Sequence, residues 1–313
     1  MELKIMDVTL RESIYIYNNV LEQDICEQIV EGLSKSNLDY IEIGYISSKK
    51  SKHLAAYCPP SYIKALENKI SPNSKSKLVI MLNIDDYNDD ILNRLLNSNI
   101  AIVRLCIRFN RLETAIPIIK ELNANGINVS ANLVRCSELS KQQIIEFTNS
   151  VELAGAKYIY LADSNGAMLP NNIIDIYKSI KEISNLEIGF HPHNNLNLAS
   201  MNALESFNQG ASIIDCSIYG YGKGLVNLDL ASFAATTQRL KLNKSINLKN
   251  LVEVYIIAYN EFIVNISNKL FYTKQHSLLS GYSNLNLDLL KNLRKNSEEN
   301  DIRFLNTLLE YTL

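Results

Sequence analysis

Short apolar runs alternate with amphipathic stretches along most of this sequence. A run such as Ile5–Leu10 has the length of a buried strand, whereas Asp24–Ser36 repeats its apolar residues Ile29, Val30 and Leu33 at helical spacing. Eight such runs are expected to be strands, and one amphipathic stretch follows each of them. The predicted strands are Ile5–Leu10, Tyr40–Tyr45, Leu78–Asn83, Ile102–Arg108, Ile127–Val134, Tyr158–Ala162, Ile188–Pro192 and Ser212–Ile218.

The helices between these strands carry recognisable end signals. Pro60 lies in a first turn, Ser140 is an N-cap, and Gly126 directly follows a last turn. The predicted helices are Asp24–Ser36, Pro60–Asn68, Asn88–Asn97, Leu112–Asn125, Ser140–Ala154, Pro170–Ile183, Leu198–Gln209 and Leu228–Leu240.

Eight strand–helix units in a row predict a parallel sheet that closes as a (β/α)8 TIM barrel over residues 1–245. A doubly wound sheet is the alternative, but it usually has fewer strands, and no GxGxxG motif follows the first strand. Residues 246–313 are expected to form helices, Leu248–Leu270 and Leu285–Leu309, that cap the barrel or build an oligomer interface.

Composition excludes several classes of protein. The chain is 47% hydrophobic and 20% charged with a net charge of −2, and it has no basic run with interleaved aromatics, so nucleic acid is not an expected partner. No apolar run approaches the roughly 20 residues of a membrane helix. Met1–Ile5 leads directly into a strand, which predicts no signal peptide. Five scattered cysteines without a CxxC motif favour a reducing cytoplasm.

Two of the four histidines, His191 and His193, stand at the end of the seventh predicted strand. Side chains two residues apart on a strand point to the same face, so both imidazoles aim at one point. Taken alone, such a pair is more often two polar loop residues than a metal site. Its position favours the metal site, because TIM barrels build active sites at the C-terminal ends of their strands.

A carboxylate after the first strand completes this candidate metal site. Glu12 is preferred over Asp7, which lies deeper in the barrel, and closure of the barrel brings strand one near strands seven and eight. A metal ion bound by two histidines and one carboxylate keeps coordination positions open for water and a chelating 2-oxo acid. The guanidinium group of Arg11 can donate paired hydrogen bonds to a carboxylate or a developing enolate. It can also form a structural ion pair with Glu42, which would then orient Arg11.

Four motifs occur in this sequence in the same order as in a known superfamily. The sequence resembles the DRE-TIM metallolyases, which include 3-hydroxy-3-methylglutaryl-CoA lyase, isopropylmalate and homocitrate synthases, and 4-hydroxy-2-oxovalerate aldolase. The match spans strand one to strand eight, and within the superfamily the aldolases are the most similar. The motifs are Asp7–Glu12, Leu161–Met168, His191–Asn195 and Gly220–Asn227.

The resemblance implies a divalent metal ion, Mn²⁺, Mg²⁺, Co²⁺ or Zn²⁺, bound by Glu12, His191 and His193. Glu12 stands where the aldolases carry aspartate, and other members of the superfamily use glutamate there. Asn227 matches an asparagine that some members, chiefly the lyase, place near the metal.

The same resemblance implies roles around the substrate. Arg11 stabilises the enolate, with Glu42 beside it, and Ser164 contacts the pyruvate portion. Tyr282 matches a tyrosine that the aldolases bring in after the barrel as an acid–base partner.

One position departs from the aldolases. They place a catalytic histidine where this sequence has Tyr15. A phenol has an ordinary pKa of about 10, so Tyr15 acts as a base only if the metal or Arg11 lowers its pKa. The tail after Tyr282 is short for the domain that docks on an acylating aldehyde dehydrogenase, so that partner is not expected.

The predicted function is a metal-dependent carbon–carbon lyase or aldolase that acts on pyruvate and an aldehyde, in a chain whose apolar C-terminal helices favour a homodimer. An acyl-CoA Claisen lyase or synthase is the enzymatic alternative, although no motif for a CoA groove is present. A non-catalytic metal-binding scaffold is the alternative from another class, because the histidine base is missing.

Overall fold

The computed structural model describes residues 2–15, 21–223, 227–259, 278, 280–282 and 284–286. Eight parallel strands pair in sequence order, and β8 pairs with β1 to close the barrel, which confirms the predicted (β/α)8 fold. The strands are β1 Lys4–Asp7, β2 Tyr40–Ile46, β3 Lys77–Asn83, β4 Ile102–Ile107, β5 Val129–Val134, β6 Tyr158–Asp163, β7 Glu187–Pro192 and β8 Ala211–Cys216.

Helices surround the barrel, as their amphipathic patterns indicated. Ser140 caps its helix as predicted, because its hydroxyl accepts a hydrogen bond from the Gln143 N–H. The helices are α1 Thr9–Ser13, α2 Gln23–Lys35, α3 Pro60–Glu67, α4 Asp89–Leu96, α5 Leu112–Ala124, α6 Lys141–Leu153, α7 Pro170–Ile183, α8 Ala199–Asn208, α9 Leu230–Arg239 and α10 Leu248–Tyr259.

Strand β1 is shorter than predicted, and the difference positions the site. The strand ends at Asp7, whose carboxylate accepts hydrogen bonds from the N–H of Thr9 at 3.1 Å and from its hydroxyl at 2.6 Å. These bonds turn the chain out of the sheet and into the short helix α1. Arg11 and Glu12 therefore lie on a helical turn above the strand rather than on the strand itself.

The barrel interior is filled by a small cluster of buried side chains that includes Met6, Tyr40, Val79 and Tyr160. On each strand these residues alternate with residues such as Ile41 that belong to the larger core beneath the helices. Two apolar layers, one inside the barrel and one outside it, thus hold the strands in place.

Gly189 on β7 makes room for an aromatic ring inside the barrel. A β-carbon at this position would lie 2.2 Å from the ring of Tyr160. The guanidinium carbon of Arg104 stacks over the same ring, 4.1 Å from its centroid. Gly189 is therefore needed, because a larger residue would displace the Tyr160 ring on which the buried Arg104 stacks.

The C-terminal region is described in part. Helix α10 packs on α2 and α9, on the outer surface of the barrel. The predicted helix Leu248–Leu270 is described as far as Tyr259, and the predicted helix Leu285–Leu309 lies outside the described residues apart from 285 and 286. The domain boundary at residue 245 and the interface role of 246–313 stay predictions.

Two expectations from composition can be compared with the structure. Within the described residues, no helix has both the length and the apolar character needed to cross a bilayer. All five cysteines are free thiols, and Cys216 is buried in the apolar layer.

Candidate active site

A chain of buried ion pairs runs across the C-terminal end of the barrel. Arg104 donates from Nη2 to Asp215 Oδ2 at 2.6 Å and from Nη1 to Glu42 Oε1 at 2.9 Å. Glu42 Oε2 accepts from Arg11 Nε at 2.7 Å, and Arg11 Nη1 donates to Glu12 Oε1. All five side chains are nearly inaccessible to solvent. We call Asp215, Arg104, Glu42, Arg11 and Glu12 the ion-pair chain.

Both arginines stay charged in this setting. Burial alone would lower the pKa of Arg104, but the carboxylates of Asp215 and Glu42 outweigh it and raise that pKa. The pKa of Arg11 is raised in the same way, against the effect of burial, by Glu12 and Glu42. With its side-chain oxygen turned toward Arg104, Asn132 accepts hydrogen bonds from Nη2 at 2.8 Å and from Nε at 2.9 Å. The guanidinium groups are therefore fixed in orientation as well as in charge.

The two histidines stand next to this chain. His191 Nδ1 lies 3.0 Å from Asp215 Oδ2, and the rings of His191 and His193 are 5.1 Å apart. With Nδ1–H donated to Asp215, the lone pair of Nε2 faces Glu12 Oε1, 3.7 Å away. Burial lowers the pKa of His193, and the neighbouring His191 and Arg11 lower it further, which keeps its imidazole neutral.

Asp215 was missed in the sequence analysis. The sequence signal was present, because Asp215 is the only acidic residue in the apolar strand Ala211–Cys216, next to the strand that carries His191 and leads into His193. The pKa of Asp215 is lowered, since Arg104 and the hydrogen bond with His191 outweigh the effect of burial. Asp215 thus joins the ion-pair chain to the histidines and sets the tautomer of His191.

The donor atoms fit a divalent cation, although in the described part of the chain no three His, Cys, Asp or Glu side chains form a preformed metal cluster. Glu12 and His191 present two electron-rich atoms to each other. Within the described residues, His193 Nδ1 and Asn227 Oδ1 are buried without hydrogen-bond partners. Asn227 pairs with His193 through an isolated bridge, so both orphaned atoms belong to neighbouring residues. Mixed nitrogen and oxygen donors suit several divalent metals.

These groups open into a cavity of about 700 Å³ at the C-terminal end of the barrel. Its lining includes Arg11, Glu12, Ser164, His191 and His193, so the fold brings together most of the residues predicted from the motifs. The Ser164 hydroxyl accepts a hydrogen bond from the N–H of Arg135 at 3.0 Å.

Glu42 does not reach the cavity directly. It is fully buried, and both of its carboxylate oxygens are bonded to arginines. Its contacts match the expected pairing with Arg11, and they leave its contact with substrate a prediction.

Tyr15 lies on the cavity wall, and its hydroxyl is 2.6 Å from that of Tyr45. The Tyr15 side chain is 44% exposed, but its hydroxyl lies against Tyr45, and desolvation there raises the pKa of Tyr15, which the nearby Arg11 charge lowers only in part. The direction is opposite to the lowered pKa that a tyrosine base needs, so the role of Tyr15 stays a prediction.

Tyr282 is 60% exposed and lies outside the cavity lining. Its segment nevertheless docks on the barrel, because the Asn284 amide donates to the carbonyl of Ser137 and the Asn165 amide donates to the carbonyl of Asn284. This docking brings Asn286 to the cavity wall. The acid–base role of Tyr282 stays a prediction.

Asp7, the second-ranked metal carboxylate, is buried outside the cavity lining. Both of its oxygens accept hydrogen bonds from Thr9, and the Thr9 hydroxyl in turn accepts from the N–H of Ile218 at 2.8 Å. Burial raises the pKa of Asp7 to about 7, against the lowering effect of the Thr9 hydrogen bonds. Its contacts make it part of the turn that carries α1.

Comparisons with known proteins show which sequences this chain resembles. A family model described as HMGL-like matches residues 105–257. An oxaloacetate decarboxylase of Mycobacterium tuberculosis is 26% identical over 75% of this chain and 70% of its own length. A 4-hydroxy-2-oxovalerate aldolase of Geobacillus genomosp. 3 is 27% identical over 82% of this chain and 77% of its own length.

Solved structures share the fold. The N-terminal domain of a candidate aldolase from Bacteroides vulgatus superposes with a TM-score of 0.81 at 24% identity, covering 96% of this chain and 99% of that one. The HMG-CoA lyase of Brucella melitensis gives a TM-score of 0.70 at 14% identity, covering 83% and 98%. The family match and the named relatives confirm the resemblance to the DRE-TIM metallolyases that the motifs carried, and the solved structures show the shared fold.

The raised pKa of Asp7 predicts a pH dependence of stability. The folded pKa of about 7 exceeds the ordinary value of 3.8, so the carboxyl stabilises the fold in its protonated form. That contribution is complete below about pH 4 and is lost as the pH rises toward 7, by at most a few kcal/mol. Chemical unfolding from pH 4 to 7 should therefore show the stability of the wild type falling relative to Asp7→Asn. Asp24→Asn, at an exposed helix start, is the control, and parallel curves for wild type and Asp7→Asn would contradict the assignment.

Proposed function

Because this chain carries an HMGL-like domain, we propose that it is a divalent-metal-dependent carbon–carbon lyase that works through the enolate of pyruvate, with an aldehyde as the second partner. The observation that supports this most directly is the placement of Arg11. Its permanent positive charge lines the cavity beside His191 and His193 and is held by Glu42 and Glu12. The relatives that are named aldolases and a decarboxylase support the same class of reaction.

Arg11 supplies fixed positive charge where the enolate develops. Glu42 holds Nε and Glu12 holds Nη1, so the plane of the guanidinium is set before substrate arrives. Charge that needs no reorientation during the reaction is the most effective kind of transition-state stabilisation. Arg104, one step further along the ion-pair chain, keeps Glu42 in place while it holds Arg11.

Glu12, His191, His193 and Asn227 would hold the divalent ion, which when bound supplies a Lewis acid for the carbonyl and carboxylate oxygens of a 2-oxo acid. Asp215 fixes the tautomer of His191, so that Nε2 carries the free lone pair. The buried, neutral His193 needs no deprotonation before it binds. Ser164 lines the same cavity and contacts the pyruvate portion of the substrate.

Oxaloacetate decarboxylation is a second candidate, and Tyr15 is the observation that favours it. Retro-aldol cleavage requires removal of a proton from a hydroxyl, whereas oxaloacetate loses carbon dioxide without that step. Both reactions leave the pyruvate enolate, which then takes a proton at C3. A tyrosine with a raised pKa at the position of the aldolase base suits the reaction that needs no base.

The metal site predicts a loss of bound ion on substitution. His191→Ala/His193→Ala should copurify with much less divalent metal than the wild type, because two nitrogen donors are removed. Elemental analysis of purified protein measures this, with His53→Ala as the control, since His53 lies outside the cavity lining. Equal metal content in all three proteins would exclude these histidines as ligands.

The role of Arg11 predicts a specific kinetic loss. Arg11→Lys keeps the charge but loses the planar fork, so exchange of the methyl protons of pyruvate should fall by roughly 10²–10³. Deuterium exchange followed by NMR measures this, and thermal unfolding checks that the variant folds. Arg111→Lys is the control, because Arg111 lines the cavity and pairs with the exposed Asp85. A wild type that binds metal but exchanges no protons would instead identify a scaffold.

Tyr15→Phe separates the two candidate reactions. If Tyr15 takes the hydroxyl proton, the variant should lose aldol cleavage by roughly 10²-fold or more and keep oxaloacetate decarboxylation. Rates of both reactions across pH, compared with Tyr282→Phe, measure this. If Tyr15→Phe retains aldol cleavage and Tyr282→Phe loses it, the proton transfer is assigned to Tyr282 instead.

A further inference from the structure

Two arginines in the cavity have no acidic partner in the described part of the chain. Arg108 directly follows β4 and Arg135 directly follows β5, and both line the cavity. The other arginines of the lining are neutralised: Arg11 and Arg104 within the ion-pair chain, and Arg111 by Asp85 at 2.7 Å. The cavity therefore carries excess positive charge where Arg108 and Arg135 lie.

Arg135 also has an unusual backbone. Its φ of 58° and ψ of 39° are left-handed, a conformation in which glycine or asparagine is the ordinary residue. The Ser164 hydroxyl, which accepts from the Arg135 N–H at 3.0 Å, supports this backbone. A long cationic side chain is thus kept on the cavity wall at a position that favours a small residue, which points to a role for the side chain.

These arginines lie across the barrel from Glu12, and they are two strands (Arg135) and three strands (Arg108) away from β7, at whose end His191 and His193 stand. Ile107 pairs with Leu133, so Arg108 and Arg135 leave neighbouring strands at the same rim. In a closed barrel of eight strands, β4 and β5 stand opposite β8 and β1, and Glu12 follows β1. The cavity of about 700 Å³ spans both sides and has more room than pyruvate fills.

We propose that Arg108 and Arg135 bind an anionic group, a carboxylate or a phosphate, on the aldehyde partner. This inference rests on the proposed function, in which Arg11, Glu12 and Ser164 hold pyruvate, so that the aldehyde partner lies toward the ends of β4 and β5. In the condensation, C3 of pyruvate loses one proton and bonds to the aldehyde carbon, and the aldehyde oxygen gains one proton. The remote anion meets two guanidinium groups, which bind carboxylate and phosphate through paired N–H donors. Arg108 and Arg135 thus determine specificity for the aldehyde.

The test compares aldehydes that differ in charge, with pyruvate as the common partner. Succinic semialdehyde is paired with its methyl ester for the carboxylate, and glyceraldehyde 3-phosphate with glyceraldehyde for the phosphate. We expect kcat/KM to be at least about tenfold higher for the charged member of one pair, and that pair identifies the anion. In Arg108→Gln/Arg135→Asn this ratio should fall by roughly tenfold to a hundredfold. Asparagine tolerates the left-handed backbone, which protects the fold.

Arg111→Gln is the matched control, because it removes a cavity arginine that Asp85 already neutralises. Its charged-to-neutral ratio should change by less than about twofold. A wild type that prefers neutral aldehydes, shows no preference, or exchanges pyruvate protons yet condenses none of the four aldehydes would overturn the inference while the proposed function stands. A preference retained in the double variant would overturn the assignment to these arginines.

Failure of the proposed function gives a different result, namely no exchange of pyruvate protons in the metal-loaded wild type. The anion site is then measured directly by calorimetry with succinate and with inorganic phosphate. Binding that is present in the wild type and lost in Arg108→Gln/Arg135→Asn supports the site. No binding to the wild type, or equal binding to both proteins, overturns it.

Discussion

The ion-pair chain is the constraint on which the rest of the site depends. Five charged side chains are buried at the top of the barrel, and burial of an unpaired charge would be strongly unfavourable. Each charge is stable there only because an opposite charge pairs with it. The loss of one group would therefore leave its partner buried and unpaired. Arg104, on β4, is central because it binds carboxylates from β2 and β8. Since β4 and β8 stand opposite each other, Arg104 connects opposite sides of the barrel. The orientation of Arg11 therefore depends on contacts that exist only in the folded barrel.

The fold could be predicted from the sequence because it depends on periodicity. Eight apolar runs, each followed by an amphipathic helix, restrict the topology strongly, and the observed register confirms them. Glu12, His191 and His193 could be predicted because their positions follow from strand ends and a shared motif. Asp215 and Arg104 could not be assigned roles, because their contacts join strands distant in sequence. The turn at Thr9 was missed because its cause is two local hydrogen bonds, from the N–H and the hydroxyl of Thr9 to the carboxylate of Asp7.

Tyr15 shows how a small change in an inherited site alters its chemistry. In the proposed reaction the surrounding charges stabilise an enolate, and their arrangement does not depend on the residue at position 15. What depends on it is the supply of a base, since burial works against ionisation of a phenol. The same barrel can thus keep enolate chemistry while the bond that is broken changes. The paired arginines after β4 and β5 extend this division, because they act on the half of the substrate that differs between reactions.

The contact between Gly189 and Tyr160 also limits the order in which this protein can evolve. Any side chain at position 189 would collide with the ring, so residue 160 must first become smaller. A smaller residue there removes the surface on which Arg104 stacks and weakens its hold on two carboxylates. Every path that begins at either position passes through an intermediate with a poorer core or a poorer site. We therefore expect both residues to resist substitution and sequence variation to be tolerated better in the loops at the rim of the barrel.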